Sequence, residues 1–480
     1  MRSVVMAICV MVYPLSATPF SDFLIYLGQS EAAQREALVD SFMNTISRTP
    51  LIECDTTVHL IYRGNSSVYS VSVPGDMNGW TPGVYAMQRA ANTTLWYFSH
   101  VFESDARLDY KFVTNGSNWI LDPRNPFRCT GGYGPNSELR MPDFIQPPEI
   151  SYYPQIPHGA VFDTVLYSPQ LNNSRHVRVY TPPGYENGTA EYSLVLFHDG
   201  LEYLSLAYAN NVLDYLIAGQ QIEPLIGVFV PPVNRTAEYA GSQQQAFTAF
   251  IAQTVVQWID SRYRTRTDSR HRLIAGASNG GNIALWIALQ HPELFGRVAA
   301  FSSNVQTNIT DRLNADPLLD LSFYLDIGTY DIDALIPLVT NLRSILIARG
   351  YPLLFQEFHE GHSWGNWRAH IDDALRYFFP PATSLSNSGT LRPATFRLYA
   401  GYPNPFNDRI TIRFDLQHNA QVKLVIYDLN GRIVTTLVET PVPAGSYHYE
   451  WITHGIASGC FLAGLTIDGA TQWIKIVHLK

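Results

Sequence analysis

The chain has 480 residues, of which 46% are hydrophobic and only 15% are charged. This length exceeds what one compact core supports, so about three domains are expected, and the composition excludes disordered, collagen-like and coiled-coil proteins. The 32 Lys and Arg against 41 Asp and Glu give a net charge of −9 without any basic run, which argues against a nucleic acid or an anionic membrane as partner.

The first 18 residues have the pattern of a secretory signal peptide. Arg2 precedes an apolar run from Val4 to Leu15, and small residues follow from Ser16. This run is too short to span a bilayer, which takes about 20 residues. We therefore predict a signal peptide over 1–18, the alternative being an ordinary buried helix. No later stretch is long and apolar enough for an integral membrane protein.

The cysteines do not indicate a disulfide framework. Beyond the predicted signal peptide the chain contains Cys54, Cys129 and Cys460, with no CxxC spacing that would indicate zinc. A single bridge between Cys54 and Cys129 stays open, and the alternative is that both are unpaired.

The next two segments differ in the spacing of their apolar residues. Residues 19–57 carry apolar side chains at helical spacing, which predicts one amphipathic helix or two short ones. Residues 58–150 contain short alternating runs such as VHLIYRG and LWYFSHVF, separated by turns such as PGDMNGW. This pattern predicts a small antiparallel β-sandwich.

Residues 151–381 alternate strands with helices. Apolar strands such as YSLVLFHDG and LSFYLDIG are followed by helical stretches near 241–262, 281–291, 334–349 and 366–378. Alternation of this kind predicts an α/β domain with a mostly parallel sheet and helices on both faces. Residues 382–396 are a Pro/Ser/Thr-rich linker, and residues 397–480 return to strands and predict a second all-β sandwich.

The segment HRLIAGASNGGNIALW carries the chemistry of the α/β domain. An apolar run ends in Gly276, Ser278 and Gly280, and a helical pattern follows. GxSxG between a strand and a helix is a nucleophile elbow, in which the positions two before and two after the serine have no room for a Cβ. The alternative is a glycine-rich turn without function, which the flanking strand, the helix and Gly281 disfavour.

A serine nucleophile needs a base, and the base needs a carboxylate that fixes its tautomer. In this fold the partners follow the serine in the order acid, then histidine. Asp331 lies just beyond a strand, and His362 lies in a loop between a strand and a helix, so both are predicted to converge on Ser278. The open alternatives are His359 for the base and Asp326 or Asp333 for the acid.

The tetrahedral intermediate also requires oxyanion donors. We expect the backbone N–H of Asn279, after the nucleophile, and that of Leu201, in the turn after an early strand. His198 and Asp199 in the same turn lack further ligands at metal spacing. The sequence therefore predicts no metal and no cofactor.

Most of residues 160–380 resemble esterases of the α/β-hydrolase superfamily, the group of enterochelin-type siderophore esterases, esterase D relatives and feruloyl or acetyl-xylan esterases. The matching segments are LFHDGLEY, NRTAEY, IAGASNGG, HPELFGRVAAFSS, DIGTYD and EGHSWGNWR. The family's GxSxGG, Gly-Thr-x-Asp and Gly-His-x-Trp motifs imply a triad of Ser278, Asp331 and His362. Asn279 stands where many members have Leu, but only its backbone N–H is needed.

The flanking domains carry resemblances of their own. VPGDMNGW, RLDYKFV, ILDPRNP and GPNSEL resemble an early-set, glycogen-binding-like module, in which we expect Trp80 to pack in the sandwich rather than to bind sugar. YPNPFNDRITIRFDL, VKLVIYDLNGRIV and PAGSYHYEW resemble the Ig-like, hook-capping-type C-terminal sorting module of type IX secretion. That resemblance implies a bacterial secreted or surface-attached protein whose C-terminal domain engages the secretion machinery.

Together these patterns predict a secreted serine carboxylesterase that forms an acyl-enzyme on a carbohydrate or siderophore ester. Two alternatives stay open, namely a surface binding protein with an idle hydrolase scaffold and an acyltransferase that uses the same triad. The residues that we expect to bind substrate are Tyr203, Arg235, Trp364 and Trp367, with Tyr239 at the rim and Arg368 as a further cation.

Overall fold

The computed structural model describes residues 19–132, 134–381, 396–399, 404, 406–416, 419–428, 432–453, 456–467 and 470–479. The chain divides into two compact units, one ending at Leu385 and the other beginning at Ser386. The predicted signal peptide and residues 382–395 of the predicted linker lie outside the described residues, so both stay predictions. Across the described ranges, no helix combines the length and apolar character needed to cross a bilayer.

The first unit begins with two helices and a group of short strands. The helices are α1 (Phe20–Gln29) and α2 (Arg35–Thr45), with 3-10 turns at Ala32–Gln34, Asp76–Asn78, Ala90–Asn92 and Pro148–Ile150. The strands are β1 (Leu51–Glu53), β2 (Thr57–Arg63), β3 (Val71–Ser72), β4 (Gln88–Arg89), β5 (Leu95–Val101), β6 (Arg107–Tyr110), β7 (Phe112–Thr114), β8 (Asn118–Ile120), β9 (Arg128–Gly131) and β10 (Gly134–Arg140). One sheet has the order β1-β2-β5-β4, and another has the order β3-β7-β8.

The two helices cover one face of the sandwich. Val58 and Leu60 of β2 point into the sandwich core, whereas Ile61 packs against the helices with Phe23 and Phe42. The rings of these two phenylalanines stack 4.0 Å apart. Because successive side chains of a strand point to opposite faces, β2 is buried on both sides and its sequence reads as a nearly continuous apolar run.

The α/β domain follows in the same unit. Its strands are β11 (Ala160–Ser168), β12 (Asn173–Thr181), β13 (Ser193–His198), β14 (Leu225–Val230), β15 (Arg272–Ala277), β16 (Arg297–Phe301), β17 (Ser322–Tyr330) and β18 (Leu353–Gly361). Its helices are α3 (Gly200–Ser205), α4 (Ala209–Ala218), α5 (Arg235–Ala240), α6 (Gln244–Phe250), α7 (Val256–Arg262), α8 (Asn279–Gln290), α9 (Thr307–Ala315), α10 (Ile336–Arg349) and α11 (Trp364–Phe378). A π-helical turn, Ile251–Val255, joins α6 to α7, and 3-10 turns lie at Tyr185–Asn187 and Ser269–His271.

The predicted parallel sheet is confirmed. Its order is β11-β12-β14-β13-β15-β16-β17-β18, with parallel pairing from β14 to β18 and antiparallel pairing at the first two strands. Every residue of β13 is buried, and its side chains alternate between two cores, with Leu194 and Leu196 on one face and Val195 and Phe197 on the other. Helices on both faces explain why the strand reads as an apolar run.

The sheet continues from the α/β domain into the sandwich. Strand β18 pairs in parallel with β6, where Glu360 lies opposite Arg107, and antiparallel β10 and β9 follow. The result is a single sheet of 11 strands. Nothing in the sequence pattern predicted this continuation, because a strand's pairing partner leaves no periodic signal.

The second unit is all β. Its strands are β19 (Phe396–Leu398), β20 (Arg409–Leu416), β21 (Ala420–Asp428), β22 (Ile433–Val442), β23 (Gly445–Ile452), β24 (Gly459–Ile467) and β25 (Ala470–His478). They form antiparallel sheets of order β19-β20-β23 and β22-β21-β24-β25. Ile410, Ile412 and Phe414 alternate into the shared core. This arrangement confirms the predicted second β-domain.

A buried histidine makes the stability of the first unit depend on pH. His370 of α11 bonds Glu360 Oε1 through Nε2 at 2.8 Å, and its Nδ1 lies 3.7 Å from Asp373 Oδ2. Burial alone would lower the pKa of His370, but the two carboxylates raise it to about 9. Burial raises the pKa of the Asp326 carboxyl to about 7, and the charge of His370 opposes this rise.

We expect the free energy of unfolding of the first unit to fall between about pH 6.5 and 9, by up to about 3 kcal/mol from His370. The folded state holds this proton more tightly than the unfolded state, so the stabilisation is complete below the unfolded pKa and is lost as pH rises through the folded one. Urea unfolding across this range, compared with His370→Gln, isolates the contribution. An equal pH slope in the variant would contradict the assignment.

Candidate active site

Ser278 lies in a sharp turn between β15 and α8. Its φ of 58° and ψ of −122° are uncommon for any residue other than glycine. A Cβ on Gly276 would overlap the backbone of Gly280, and one on Gly281 would lie 2.9 Å from the Ser303 side chain. The turn therefore requires glycine where the GxSxGG pattern has it.

Backbone hydrogen bonds anchor Ser278 to the neighbouring strand. Its N–H donates to Phe301 O at 2.8 Å, and its carbonyl accepts from Asn304 N at 3.1 Å. Among the described residues its Oγ has no hydrogen-bond partner. The main chain is thus fixed while the hydroxyl stays available.

His362 and Asp331 lie beside each other at the same edge of the sheet. His362 Nδ1 is 2.8 Å from Asp331 Oδ1, and the carboxylate is buried and also accepts from Ile332 N at 2.7 Å. The Trp367 ring meets the imidazole edge-on, with centroids 4.9 Å apart. A carboxylate at Nδ1 favours the tautomer in which Nε2 is available to accept a proton.

The alternative base and acids lie elsewhere. His359 Nδ1 bonds Asp105 at 2.6 Å in an exposed position. Asp326 lies inside β17 and accepts from Ser302 N at 3.0 Å, and Asp333 is exposed beyond the turn. Asp331 is therefore the carboxylate that meets His362.

Ser278 and His362 follow two strands of the same parallel set, β15 and β18, so both lie at the carboxyl edge of the sheet. Helix α11 begins shortly after His362 and carries Trp364 and Trp367. Both side chains share one apolar cluster with Ala277, the residue before the serine. No hydrogen bond joins Ser278 Oγ to His362 Nε2 within the described ranges. In free enzymes this contact is often long and tightens when substrate binds.

The two predicted oxyanion donors begin helices at this edge. Asn279 is the first residue of α8, and Leu201 lies in the first turn of α3, where backbone N–H groups have no acceptor within the helix. A Cβ on Gly200 would overlap the backbone of Phe229 and Val230, so the turn before Leu201 packs directly onto β14. The Asn279 side chain accepts from Asn304 Nδ2 at 2.7 Å.

An ion pair that the sequence analysis missed holds the turn that precedes Leu201. Asp199 adopts a left-handed conformation, with φ of 54°, and its carboxylate accepts two 2.8 Å hydrogen bonds from Arg235. Its N–H donates to Tyr239 Oη at 2.9 Å, and Arg235 also donates to Ala277 O at 3.2 Å. Arg235 therefore connects the turn that precedes Leu201 with the strand end that precedes Ser278.

This pairing changes the interpretation of the residues expected to bind substrate. Arg235 is paired with buried Asp199 through Nε and Nη2, which compensates its charge, while 39% of its side chain stays exposed. Tyr203 has 0% exposure and packs edge-on against Trp364, at 5.2 Å between ring centroids, so it is a core residue rather than a surface residue that contacts substrate. Trp364 and Trp367 keep 8% and 7% of their surface exposed, and their role in binding stays a prediction.

His198 is a packed core residue. It is buried between the rings of Tyr239 and Phe247, and burial followed by the charge of Arg235 lowers its pKa to about 3. The imidazole is therefore neutral. In the part of the chain that the structure describes, no three potential ligands cluster as a metal site would require.

Comparison with known families agrees with this architecture. Residues 168–378 match the family described as "Putative esterase", and residues 400–478 match the secretion system C-terminal sorting domain. The α/β domain is therefore similar to this esterase family over residues 168–378. The sorting domain marks the protein as a secreted or cell-surface bacterial protein.

Several known proteins are similar to this chain over part of its length. An uncharacterised Bacillus subtilis protein, YjcH, is 26% identical over 234 residues, which cover 46% of this chain and 97% of that protein. The iron(III) enterobactin esterase of Escherichia coli O6:H1 is 23% identical over 337 residues, covering 62% and 82% respectively. A crystal structure of the Shigella flexneri enterobactin esterase, obtained in the presence of enterobactin, aligns with a TM-score of 0.59 and 20% identity over 70% of this chain and 97% of that one, which shows a shared fold.

The close approach of Gly276 to the Gly280 backbone predicts that one added methyl group strongly lowers the stability of the esterase domain. Gly276→Ala is expected to destabilise the esterase domain by about 3 kcal/mol or more, because backbone atoms rather than a flexible side chain must move. Gly188→Ala is the matched control, since its φ is −132° and its Cβ would meet nothing closer than 4.0 Å. Urea unfolding of both variants tests this, and equal stabilities would contradict the account.

Proposed function

We propose that the esterase domain is a serine carboxylesterase that forms an acyl-enzyme on Ser278. The observation that carries the proposal is a serine in a glycine-enforced turn at the same sheet edge as a hydrogen-bonded histidine–aspartate pair. The match of residues 168–378 to the esterase family model supports ester hydrolysis as the reaction class. Within that class we assign Ser278 the role of nucleophile, His362 that of base and Asp331 that of acid.

The proposed reaction uses each of these groups in turn. His362 Nε2 accepts the Ser278 proton as Oγ attacks the ester carbonyl, and Asp331 stabilises the resulting imidazolium. The N–H groups of Asn279 and Leu201 donate to the oxyanion. His362 then protonates the leaving alcohol, and a water molecule repeats the sequence on the acyl-enzyme to release the acid and restore the serine.

The substrate is proposed to be an ester of a carbohydrate or of a siderophore. The iron(III) enterobactin esterase relative supports a siderophore ester. The charges near the site favour a neutral ester instead, because Arg235 is paired with Asp199 and buried Arg368 lies 3.8 Å from Glu138. Acyl transfer to an alcohol would use the same acyl-enzyme, so an added sugar acceptor and a search for transesterified product separate the two reactions.

Replacing the nucleophile should abolish hydrolysis without unfolding the protein. Ser278→Ala is expected to reduce turnover of p-nitrophenyl acetate by about 10⁴-fold or more, and His362→Ala by a similar factor, because the two act as a unit. Thermal unfolding should change little for Ser278→Ala. His291→Ala, an exposed histidine paired with Glu293, is the control and should retain full activity. Persistent turnover in Ser278→Ala would reject the proposal.

The paired arginines predict a preference between ester classes. We expect kcat/KM to be at least about 10-fold higher for acetylated xylan or a feruloyl sugar ester than for a ferric catecholate siderophore, because an unpaired cation near a site is what favours an anion. Initial rates on the three substrates under one salt condition test this. Faster turnover of the siderophore would contradict the neutral-ester preference while leaving the serine mechanism intact.

A further inference from the structure

The segment that carries His362 is held from the sandwich by Arg107. Arg107 lies on β6 and is fully buried, with 0% exposure. Its Nη1 donates to Ser363 Oγ at 2.8 Å. Ser363 directly follows His362 and caps α11 by accepting from Asn366 N. Arg107 therefore fixes the junction at which the loop of the proposed base becomes a helix.

Gly361 and Gly365, on either side of His362, lie where side chains of the sandwich come close to the backbone. A Cβ on Gly361 would overlap the carboxyl group of Asp76, and a Cβ on Gly365 would overlap the guanidinium of Arg107. Neither glycine has the positive φ that would call for glycine on backbone grounds. Their lack of a side chain serves the close approach of the sandwich to both sides of His362.

The guanidinium of Arg107 is fixed in more than one direction. Its Nη2 donates to Asp109 Oδ1 at 2.6 Å and its Nε to Glu138 Oε1 at 2.8 Å. Burial alone would lower the pKa of Arg107, but nearby carboxylates, Asp109 foremost, raise it well above its usual value, so the group stays charged. A planar fork held at three nitrogens is a rigid support, because rotation would break several charged hydrogen bonds.

The segment that carries Asp331 is held from the same sandwich. Tyr330, the preceding residue, donates its hydroxyl to Glu103 Oε2 at 2.6 Å, and its ring lies 6.0 Å from that of Phe102. Both members of the proposed base–acid pair thus follow strands whose ends contact the sandwich.

Asp76 connects this support to the sandwich turn. Its Oδ2 accepts from Asp109 N at 2.7 Å and its Oδ1 from Trp80 Nε1 at 2.9 Å. Trp80, which the sequence analysis expects to pack in the sandwich, is half-buried, and its indole N–H is held by Asp76. The GDMNGW turn accordingly supports the loop of His362.

We propose that Arg107, with Asp76 and Glu103, positions His362 and Asp331 for the reaction at Ser278, so that the sandwich is a working part of the esterase site. This inference rests on the proposed serine mechanism. It assigns the early-set-like domain a role in catalysis through the two loops. A 1 Å displacement of a base can cost about 100-fold in rate, so a support outside the site is sufficient to control it.

The test compares kinetics with stability. Arg107→Lys keeps the charge but cannot reach three partners at once, and Ser363→Ala removes the acceptor of Nη1. We expect each to lower kcat for p-nitrophenyl acetate by about 10- to 100-fold with KM changed less than about twofold. Tyr330→Phe should lower kcat several-fold. We also combine Arg107→Lys with Ser363→Ala. In this double variant, Arg107→Lys should lower kcat by a smaller factor than it does alone, because Ser363→Ala has already removed the Arg107–Ser363 hydrogen bond.

The control is Arg63→Ala, which removes a sandwich ion pair to Glu36 and Asp40 on the side facing α2. It should lower the Tm while kcat stays unchanged at temperatures where the protein is folded. If Arg107→Lys fails to fold, Ser363→Ala and Tyr330→Phe carry the test. Unchanged kcat in folded variants of an active wild type overturns the positioning role. An inactive wild type instead rejects the serine mechanism itself.

Discussion

The close contact of two backbone segments at Gly276 and Gly280 is the constraint on which the candidate site depends. It makes the strand–helix turn so tight that Ser278 takes a positive φ of 58°. The parallel sheet then sets where the partners lie, because the loops after β17 and β18 leave the same edge as the elbow. The chemistry of the site is therefore a consequence of strand direction and one steric requirement.

Much of the esterase domain could be predicted because its signals are local. Apolar runs such as β13, buried on both faces, indicated a covered parallel sheet, and glycine spacing indicated the elbow. Asp331 was separated from Asp326 by its place just after a strand. A residue inside a strand is held in the sheet, whereas one at the strand end can turn toward a loop, and the 2.8 Å contact with His362 follows from that difference.

The support around the site could not be predicted, because its partners are distant in the sequence. Arg107 and Ser363 are 256 residues apart, and the segment RLDYKFV reads as an ordinary strand. The burial of Arg107 depends on the pairing of β6 with β18. This pairing leaves no periodic pattern in the sequence. The same limit applies to Arg235, which the sequence analysis names as a substrate-binding cation and which the fold pairs with Asp199. Long polar side chains acquire their roles from tertiary contacts that local patterns do not encode.

The proposed mechanism requires that the acyl group resides on Ser278 Oγ during turnover. Peptide mapping by mass spectrometry, on protein quenched with acid in the first turnovers of p-nitrophenyl acetate, tests it most directly. The account predicts an acetyl group on the peptide that contains Ser278, which disappears once the substrate is exhausted. Acetylation of a different residue that keeps pace with product release, or turnover with Ser278 never modified, would contradict it.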